Sequence, residues 1–530
     1  AYERLENEEA GNHYNCPVVA SYPEVIKNNV DSLDHNDICF KNPFVSLNNP
    51  KTLFHVLKEE LKEFHVSDQE LQIAIDKAYV ELNRCQEDIR QEGLKAMEYM
   101  QEHHLQGIVL AGRPYHIDPE INHGIADLIT SEGFVVLSED SVCYLDQEHL
   151  KLRVVDQWTY HSRLYKAASY VSSRNDLQLI QLTSFGCGLD AVTADQVAEI
   201  LKARNKIYTL IKIDEGSNLG AIRIRIRSLK ATLEKKEEII NLNQKYEQIK
   251  VPFTKEMREA RYTILCPQMS PLHFQFVETA MNSEGYNFVV LPSVDKDAVE
   301  QGLKYVNNDA CYPSILVVGQ MMNALNSGKY DLNKVALIIS QTGGGCRATN
   351  YIAFIRKALK DAGFANVPVI SFNIVGMEKM PGFKITVPLM EKLLKTVIYG
   401  DLLQKMLTKN RAYEVNKGET QKLFDSWMKK CKELLVKSNN KEFKQSIYDI
   451  VNDFEKIELD TSIEKPKVGI VGEVLIKYHP FGNNFVADLL EKEGAEVILP
   501  DFMGFVKFMA THKITFNNLL NTNKTSSKIM

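Results

Sequence analysis

The segment Val335-Ala-Leu-Ile-Ile-Ser340-Gln-Thr-Gly-Gly-Gly-Cys-Arg-Ala-Thr-Asn-Tyr351 predicts the fold. Its first six residues form an apolar run typical of a buried strand, and the chain from residue 351 to 360 has helical spacing. Cys346 therefore lies on a turn between a strand and a helix. The turn contains three glycines, Gly343, Gly344 and Gly345. Glycines let the backbone approach a ligand closely, and a helix N-terminus stabilises a thiolate, so we expect this thiol either to attack a substrate or to hold a metal.

The same pattern occurs earlier in the chain. The run Leu177-Gln-Leu-Ile-Gln-Leu182 predicts a strand, and Ala191 to Leu201 predicts a helix. Between them lies Cys187, flanked by two glycines, Gly186 and Gly188. A free cysteine is ordinarily a small core residue, so two cysteines on glycine-rich strand-to-helix turns indicate a function.

Composition excludes several classes of protein. The chain has 530 residues, 44% hydrophobic and 25% charged, with a formal net charge of −6. This length predicts several domains, and the charge argues against a nucleic-acid partner. No apolar run reaches the ~18 residues that a membrane helix needs. The nine cysteines form no dense framework, so we expect a reducing, cytoplasmic location rather than secretion.

Predicted strands and helices alternate along the chain, which is typical of open, mostly parallel sheets. The strands of the first region are Gly107–Ala111, Phe134–Leu137, Leu177–Leu182 and Ile207–Ile213. Those of the second are Tyr262–Leu265, Phe288–Leu291, Ser314–Val318, Val335–Ser340 and Val367–Ser371. We therefore predict an α/β fold made of several such modules plus a helical segment. The loops at the carboxyl ends of the strands should carry the site, because ligands bind there in open α/β sheets.

These patterns divide the chain into five regions. They are a first α/β region with a helical N-terminal part (1–220), a charged helical connector (221–260), a second α/β region (261–387), a helical segment (388–465) and the start of a third α/β module (466–530). A surface helix inside one domain is an equally open interpretation of the connector, which contains Lys235-Lys-Glu-Glu238. We expect the last module to be truncated, because two strands alone do not form a stable α/β module.

Two further cysteines have neighbours that suit a metal ligand. Cys16 directly precedes Pro17, and Cys311 is followed by Tyr312-Pro313. Proline is frequent beside iron–sulfur ligands because it fixes the turn and removes a competing donor. The chain contains no Cys-x-x-Cys, so a site shared by distant cysteines would have to be assembled by the fold. Cys266, which precedes Pro267, is an additional candidate ligand, called here the reserve ligand.

Several longer motifs resemble one family. They are Tyr14-Asn-Cys-Pro-Val-Val-Ala-Ser-Tyr-Pro23, Gly112-Arg-Pro-Tyr-His-Ile-Asp-Pro-Glu120, Ser184-Phe-Gly-Cys-Gly-Leu-Asp190, Asn307-Asn-Asp-Ala-Cys-Tyr-Pro313, the Cys346 segment and Gly472-Glu-Val-Leu-Ile-Lys-Tyr-His-Pro480. Together they resemble the large activase-related proteins of the 2-hydroxyacyl-CoA dehydratase system. The resemblance covers nearly the whole chain, including a region similar to the iron–sulfur subunit of the dehydratase.

The resemblance implies low-potential electron transfer in an anaerobic setting, through a [4Fe–4S] or double-cubane iron–sulfur cluster. Its motif cysteines match Cys16, Cys187, Cys311 and Cys346, which we expect to converge as ligands between the first and second α/β regions. Family members carry ATPase modules of the actin/Hsp70 type, but this chain has neither the Asp-x-Gly-Thr phosphate loop nor a Walker loop. The implied partners are therefore an ATPase activator module, in cis or in trans, and an acyl-CoA substrate. A homodimer is a further possibility that the sequence leaves open.

Three alternatives to this interpretation stay open. Gly186-Cys-Gly-Leu-Asp-Ala191 fits a dinucleotide fingerprint, with Asp214 near the expected place of a ribose-binding acid. Cys346 could instead be a nucleophile, for which the candidate bases are His116, His123 and His479. In the third alternative the protein is a non-catalytic scaffold and the glycine loops are merely tight turns.

Overall fold

The computed structural model describes residues 14–35, 38–47, 49–148, 150–184, 186–213, 219–235, 246, 250–292, 294–373, 378, 380–437, 439–460 and 462–519. Asp214, residues 236–245 and 247–249 of the predicted connector, and the tail from residue 520 lie outside these residues. The chain divides into two compact units. The first comprises residues 1–248, 344–350 and 515–530, and the second comprises residues 249–343 and 351–514. Each is described by itself.

The first unit contains a four-stranded parallel sheet. Its strands are β1 (Gly107–Ala111), β2 (Val135–Ser138), β3 (Leu177–Ser184) and β4 (Tyr208–Ile213). Its helices are α1 (Pro17–Asn29), α2 (Ser32–His35), α3 (Pro50–Glu60), α4 (Asp68–Glu102), α5 (Pro119–Asn122), α6 (Ile125–Ser131), α7 (Thr159–Ser172), α8 (Gly188–Ala203) and α9 (Leu219–Lys235). Every residue of β1 and β3 is buried, which explains why these strands are continuous apolar runs.

The second unit contains another four-stranded parallel sheet, a two-stranded sheet and the remaining helices. Its strands are β5 (Thr263–Cys266), β6 (Asn287–Val290), β7 (Val335–Ser340), β8 (Val369–Phe372), β9 (Lys467–Gly469) and β10 (Glu496–Ile498). The helices that begin in it are α10 (Lys255–Glu259), α11 (Pro271–Ser283), α12 (Lys296–Tyr305), α13 (Tyr312–Asn326), α14 (Tyr351–Asp361), α15 (Val387–Tyr413), α16 (Glu419–Lys437), α17 (Asn440–Phe454), α18 (Val474–Tyr478), α19 (Val486–Lys492) and α20 (Phe502–Leu519).

The two four-stranded sheets have the same topology. The spatial order is β2-β1-β3-β4 in the first unit and β6-β5-β7-β8 in the second, with all neighbours parallel. In both, the strand order reverses between the first and third strands, and an open α/β sheet binds its ligands at that switch point. The predicted α/β fold with mostly parallel sheets is confirmed.

One predicted strand is wrong. Ser314–Val318 belongs to helix α13, which begins after Cys311 and has Pro313 in its first turn. Residues from Pro313 to Met322 are all buried, so this helix shows no polar face and its apolar run looks like a buried strand. A short apolar run cannot distinguish the two by periodicity, whereas proline near the start and a length of 15 residues both favour a helix.

The helical segment packs as one core in the second unit. Phe276 of α11, Tyr399 of α15, Trp427 of α16 and Ile450 of α17 belong to a single buried apolar cluster. The two-stranded sheet lies near the end of α15, where the hydroxyl of Tyr413 donates to Glu496 of β10 at 3.0 Å. The helices predicted from the spacing of Leu, Ile and Met thus form three helices with a shared interior.

Candidate functional site

All four predicted cysteine ligands lie at the start of a helical segment. Cys16, Cys187 and Cys311 each directly precede the first residue of a helix, namely α1, α8 and α13. Cys346 precedes the short helical turn Arg347–Asn350 that leads into α14. Cys187 and Cys346 follow the carboxyl ends of β3 and β7, which are strands of parallel sheets, as the sequence predicts. Unpaired backbone N–H groups at such positions favour an anionic sulfur.

In the first unit the switch point lies between β1 and β3, and its two loops contain Arg113 and Cys187. Nη2 of Arg113 lies 3.4 Å from Sγ of Cys187, and its Nε donates to Oδ1 of Asp190 at 3.0 Å. Arg113 and Asp190 are only 3% and 4% exposed. The arginine is therefore held in place by a buried carboxylate and directs a hydrogen-bond donor at the thiol.

The ionisation of this pair follows from its surroundings. Burial works against the charge of Arg113, but the neighbouring carboxylate of Asp190 raises its pKa above the ordinary value. Burial likewise works against the charge of Asp190, but contact with His161 and the charge of Arg113 hold its pKa below the usual range. Both groups are thus charged at neutral pH.

A short segment, Gln157-Trp158, connects the neighbourhoods of Cys16 and Cys346. The backbone N–H of Tyr14 donates to the carbonyl of Gln157 at 2.6 Å, which fixes the arm that leads to Cys16. The side chain of Gln157 donates to the carbonyl of Cys346 at 3.1 Å, and Nε1 of Trp158 donates to the carbonyl of Gly345 at 3.2 Å. Turn 344–350, which belongs to the first unit, is therefore tied to the Cys16 arm through buried side chains.

A second arginine lies at the start of α8. A Cβ atom added to Gly188 would overlap Nη1 of Arg347, so the guanidinium occupies the space beside this glycine. A cation at a helix N-terminus is unfavourable unless an anion accompanies it, because the backbone dipoles already make that end positive. Arg347 has no ion pair with any described residue. The surroundings of Cys187 thus combine two guanidinium groups and a helix N-terminus with the carboxylate of Asp190.

A hydrogen-bonded relay extends from the same loop. The backbone N–H of Arg113 donates to Nδ1 of His116 at 2.9 Å, so the proton of the neutral ring lies on Nε2, 3.2 Å from Oγ of Ser184. Burial lowers the pKa of His116 to about 4, which keeps the ring neutral. Ser184 accepts from Nε2 of His116, and its Oγ lies 3.2 Å from Oη of Tyr115, so the three side chains form one hydrogen-bonded chain.

Cys311 lies in the second unit, where its Sγ is 2.9 Å from the hydroxyl of Tyr351. Tyr351 is the first residue of α14, five residues after Cys346. The reserve ligand Cys266 ends β5, and burial raises the pKa of its thiol, which disfavours a thiolate there. The convergence of all four cysteines predicted from the sequence stays a prediction. Within the described part of the chain, no three His, Cys, Asp or Glu side chains are grouped to hold a metal ion.

The geometry bears on two of the alternatives. In the dinucleotide fingerprint, the space above Gly188 that a pyrophosphate would approach is filled by Arg347, and Asp214 lies outside the described residues. In the nucleophile alternative, His116 has both ring nitrogens engaged, by Arg113 and Ser184, so neither nitrogen is free to act as a base. His123 ends the short helix α5 in a left-handed conformation.

Sequence reasoning missed the residues that organise this site. Arg113, Gln157, Asp190 and Arg347 were not singled out, although Arg113, Asp190 and Arg347 occur in quoted motifs. The available signal was the position of Arg113 directly after a predicted strand, beside Gly112, at an edge where ligands bind. Gln157 carried no such signal, because its partners lie 187 and 189 residues away.

Fold and site together define a class: an α/β protein with an open parallel sheet whose switch point presents cysteine thiols and arginines. Residues 1–142 match the family described as the CoA enzyme activase uncharacterised domain (DUF2229). This N-terminal part of the chain is therefore similar to a domain of activase-related proteins of the CoA-enzyme system. No curated protein and no solved structure matches it. Among the described helices, none is both long enough and apolar enough to cross a membrane.

Proposed function

We propose that this activase-related chain is an iron–sulfur protein of the 2-hydroxyacyl-CoA dehydratase and activase type. Its proposed ligands are Cys16, Cys187, Cys311 and Cys346, and the cofactor is a [4Fe–4S] or double-cubane cluster. When bound, such a cluster would accept and pass on single electrons at low potential. The family match over residues 1–142 supports the activase and dehydratase system in general, and the cluster is the finer part of the proposal.

The observation that carries this proposal is the excess of positive charge around Cys187. Arg113 lies 3.4 Å from its sulfur and Arg347 beside the first residue of α8, with Asp190 as the carboxylate that holds Arg113. Several positive charges close together in a partly buried site are stable only when an anion neutralises them. Thiolates with a bound cluster supply that anion, and Arg113 would then donate a hydrogen bond to a ligand sulfur and raise the reduction potential.

The proposed function includes a partner. A cluster near roughly −400 mV lies below common cellular donors, so its reduction needs an energy source. We place this source in an ATPase activator of the actin/Hsp70 type, as the resemblance implies, and the substrate in the acyl-CoA class. In this chain, Tyr115 presents its hydroxyl near Cys187 and Arg113 and could donate to a substrate oxygen there.

The decisive experiment is anaerobic purification and reconstitution with iron and sulfide, followed by iron and acid-labile sulfide analysis and an EPR spectrum of the reduced protein. We expect bound iron and sulfide in about equal amounts. Replacement of each proposed ligand by serine, above all Cys187→Ser and Cys346→Ser, should shift or abolish the EPR signal without changing the circular-dichroism spectrum.

Cys85→Ser is the matched control, because Cys85 is an exposed residue of α4 and is not a proposed ligand. It should keep the full iron content and an unchanged signal. If Cys346→Ser does the same, Cys346 is not a ligand. An iron-free protein that binds NAD(H) or FAD tightly would instead favour the dinucleotide alternative at Gly186–Ala191.

A further inference from the structure

A basic cavity lies in the second unit. It has a volume of about 500 Å³ and lies at the amino-terminal ends of β5 and β6, two residues before each strand begins. Its lining includes four cations, Lys255, Arg258, Arg261 and Lys384, and one carboxylate, Glu259. The excess is thus three positive charges (four minus one). None of these four cations forms an ion pair with a described residue.

The wall of the cavity is fixed by Tyr286. Its buried hydroxyl donates to the carbonyl of Lys384 at 3.2 Å and accepts from the N–H of the same residue at 3.1 Å. The guanidinium carbon of Arg258 lies 4.4 Å from the centre of the Tyr286 ring, and Nη2 of Arg258 donates to the carbonyl of Glu284 at 3.4 Å. Arg258 is therefore oriented before any ligand arrives, which reduces the entropy lost on binding.

Arg261 has a backbone conformation that arginine rarely adopts. Its φ is +54°, in the left-handed region, at the end of helix α10 where glycine or asparagine is normally preferred. Arginine is thus less favourable here than glycine for stability alone. Arg261 lines the cavity in spite of this strain, and strained residues of this kind occur often at binding sites.

We propose that this cavity binds a small polyphosphate anion. Four cations that form no ion pair with a described residue line about 500 Å³, which matches the charge of a diphosphate with a further phosphate, and the volume suits a ligand of nucleotide size. The shared chemistry of the ligands is a phosphate chain, which a nucleotide such as CoA or ATP and inorganic pyrophosphate all carry. This site is independent of the cysteine turns and of any iron–sulfur cluster.

Calorimetric titration of the full chain with CoA, 3′-dephospho-CoA, ATP and pyrophosphate tests the site. We expect saturable binding of at least one of these compounds, weakened by salt because the contacts are ionic. Tighter binding of CoA or ATP than of pyrophosphate identifies a nucleotide as the source of the phosphate, and equal binding identifies the phosphate chain alone. Absence of binding by all four at about 1 mM overturns the proposal.

Arg261→Gly and Lys384→Gln are the informative variants. The first removes the cation and relieves the strained backbone, so the urea midpoint should stay the same or rise while the affinity falls. Together they should weaken binding by about tenfold or more. The matched control is Lys429→Gln with Lys444→Gln, two exposed cations on α16 and α17. If the double variant binds the phosphate compounds as tightly as this control does, the proposal is overturned. It is also overturned if neither Arg261→Gly alone nor Lys384→Gln alone changes the affinity.

Discussion

At the scale of single residues, Arg113 is the centre of the first unit's site. Its guanidinium contacts Cys187 and Asp190, and its backbone N–H fixes the tautomer of His116. Because this side chain is only 3% exposed, water solvates its charge poorly. The charge is therefore stabilised mainly by the carboxylate of Asp190. The arrangement converts one arginine into a rigid donor that faces a thiol.

The stability of this pair can be tested with Arg113→Gln. Removal of the cation leaves the buried carboxylate of Asp190 uncompensated, so the free energy of unfolding should fall by about 3 kcal/mol. Arg113→Gln combined with Asp190→Asn should recover part of that loss, because no buried charge then remains. Urea unfolding measures both.

Arg84→Gln serves as the control for that prediction. Arg84 pairs with Glu81 at 2.6 Å on α4, and both side chains are more than 60% exposed. Its loss should change the free energy of unfolding by about 0.5 kcal/mol or less. Equal effects at Arg84 and Arg113 would show that the buried pair contributes no more than a surface pair.

At the scale of elements, helices α12 and α13 approach each other through two glycines. A Cβ added to Gly302 would overlap the backbone carbonyl of Ile315, and one added to Gly319 would overlap that of Ala298. Close contact of two backbones leaves no room for even a methyl group. The helix that begins at Cys311 is thereby fixed against its neighbour.

We predict that Gly302→Ala and Gly319→Ala each lower the free energy of unfolding by about 2 kcal/mol or more, because the clash is with backbone and not with a flexible side chain. Gly504→Ala in α20 is the matched control, since nothing lies within 4 Å of its added Cβ. There alanine should be neutral or stabilise by up to about 1 kcal/mol, owing to its higher helix propensity. Thermal denaturation measures the stability of the three variants. Equal changes in stability for all three would contradict the prediction.

At the scale of the whole molecule, buried histidines make stability depend on pH. Burial lowers the pKa of His116 and of His161 to about 4, and it also lowers the pKa of His479. In the unfolded chain these groups titrate near about 6.5. The unfolded state therefore binds more protons between these values, and acid shifts the equilibrium towards it.

We accordingly expect the stability to be complete above about pH 6.5 and to decline as the pH falls towards 4, by up to about 3 kcal/mol for His116. His116→Asn, which keeps an acceptor for the N–H of Arg113, should flatten the decline. His55→Asn, at an exposed position, should leave it unchanged. Urea midpoints across this pH range check the result, and identical slopes for the wild type and His116→Asn would refute it.

The sequence predicts strands well where a sheet is buried on both faces. Gly107–Ala111 and Val335–Ser340 agree with the structure to the residue, because complete burial produces an uninterrupted apolar run. The same rule fails at Ser314–Val318, where a helix buried on all sides produces the same run. A short apolar run in the sequence indicates that a segment is buried. Burial alone does not show whether the segment is a strand or a helix.

The sequence by itself determined the α/β class, the positions of every predicted strand except Ser314–Val318, and the placement of Cys187 and Cys346 at the carboxyl ends of two strands. Backbone preference and burial are local properties, so local residues encode them. Only the tertiary structure decided that β1 lies beside β3, which brings Arg113 to Cys187 over 74 residues, and that Gln157 holds the Cys346 turn over 189 residues. Such contacts depend on the packing of distant elements, and no local pattern records which distant partner a buried polar side chain will find.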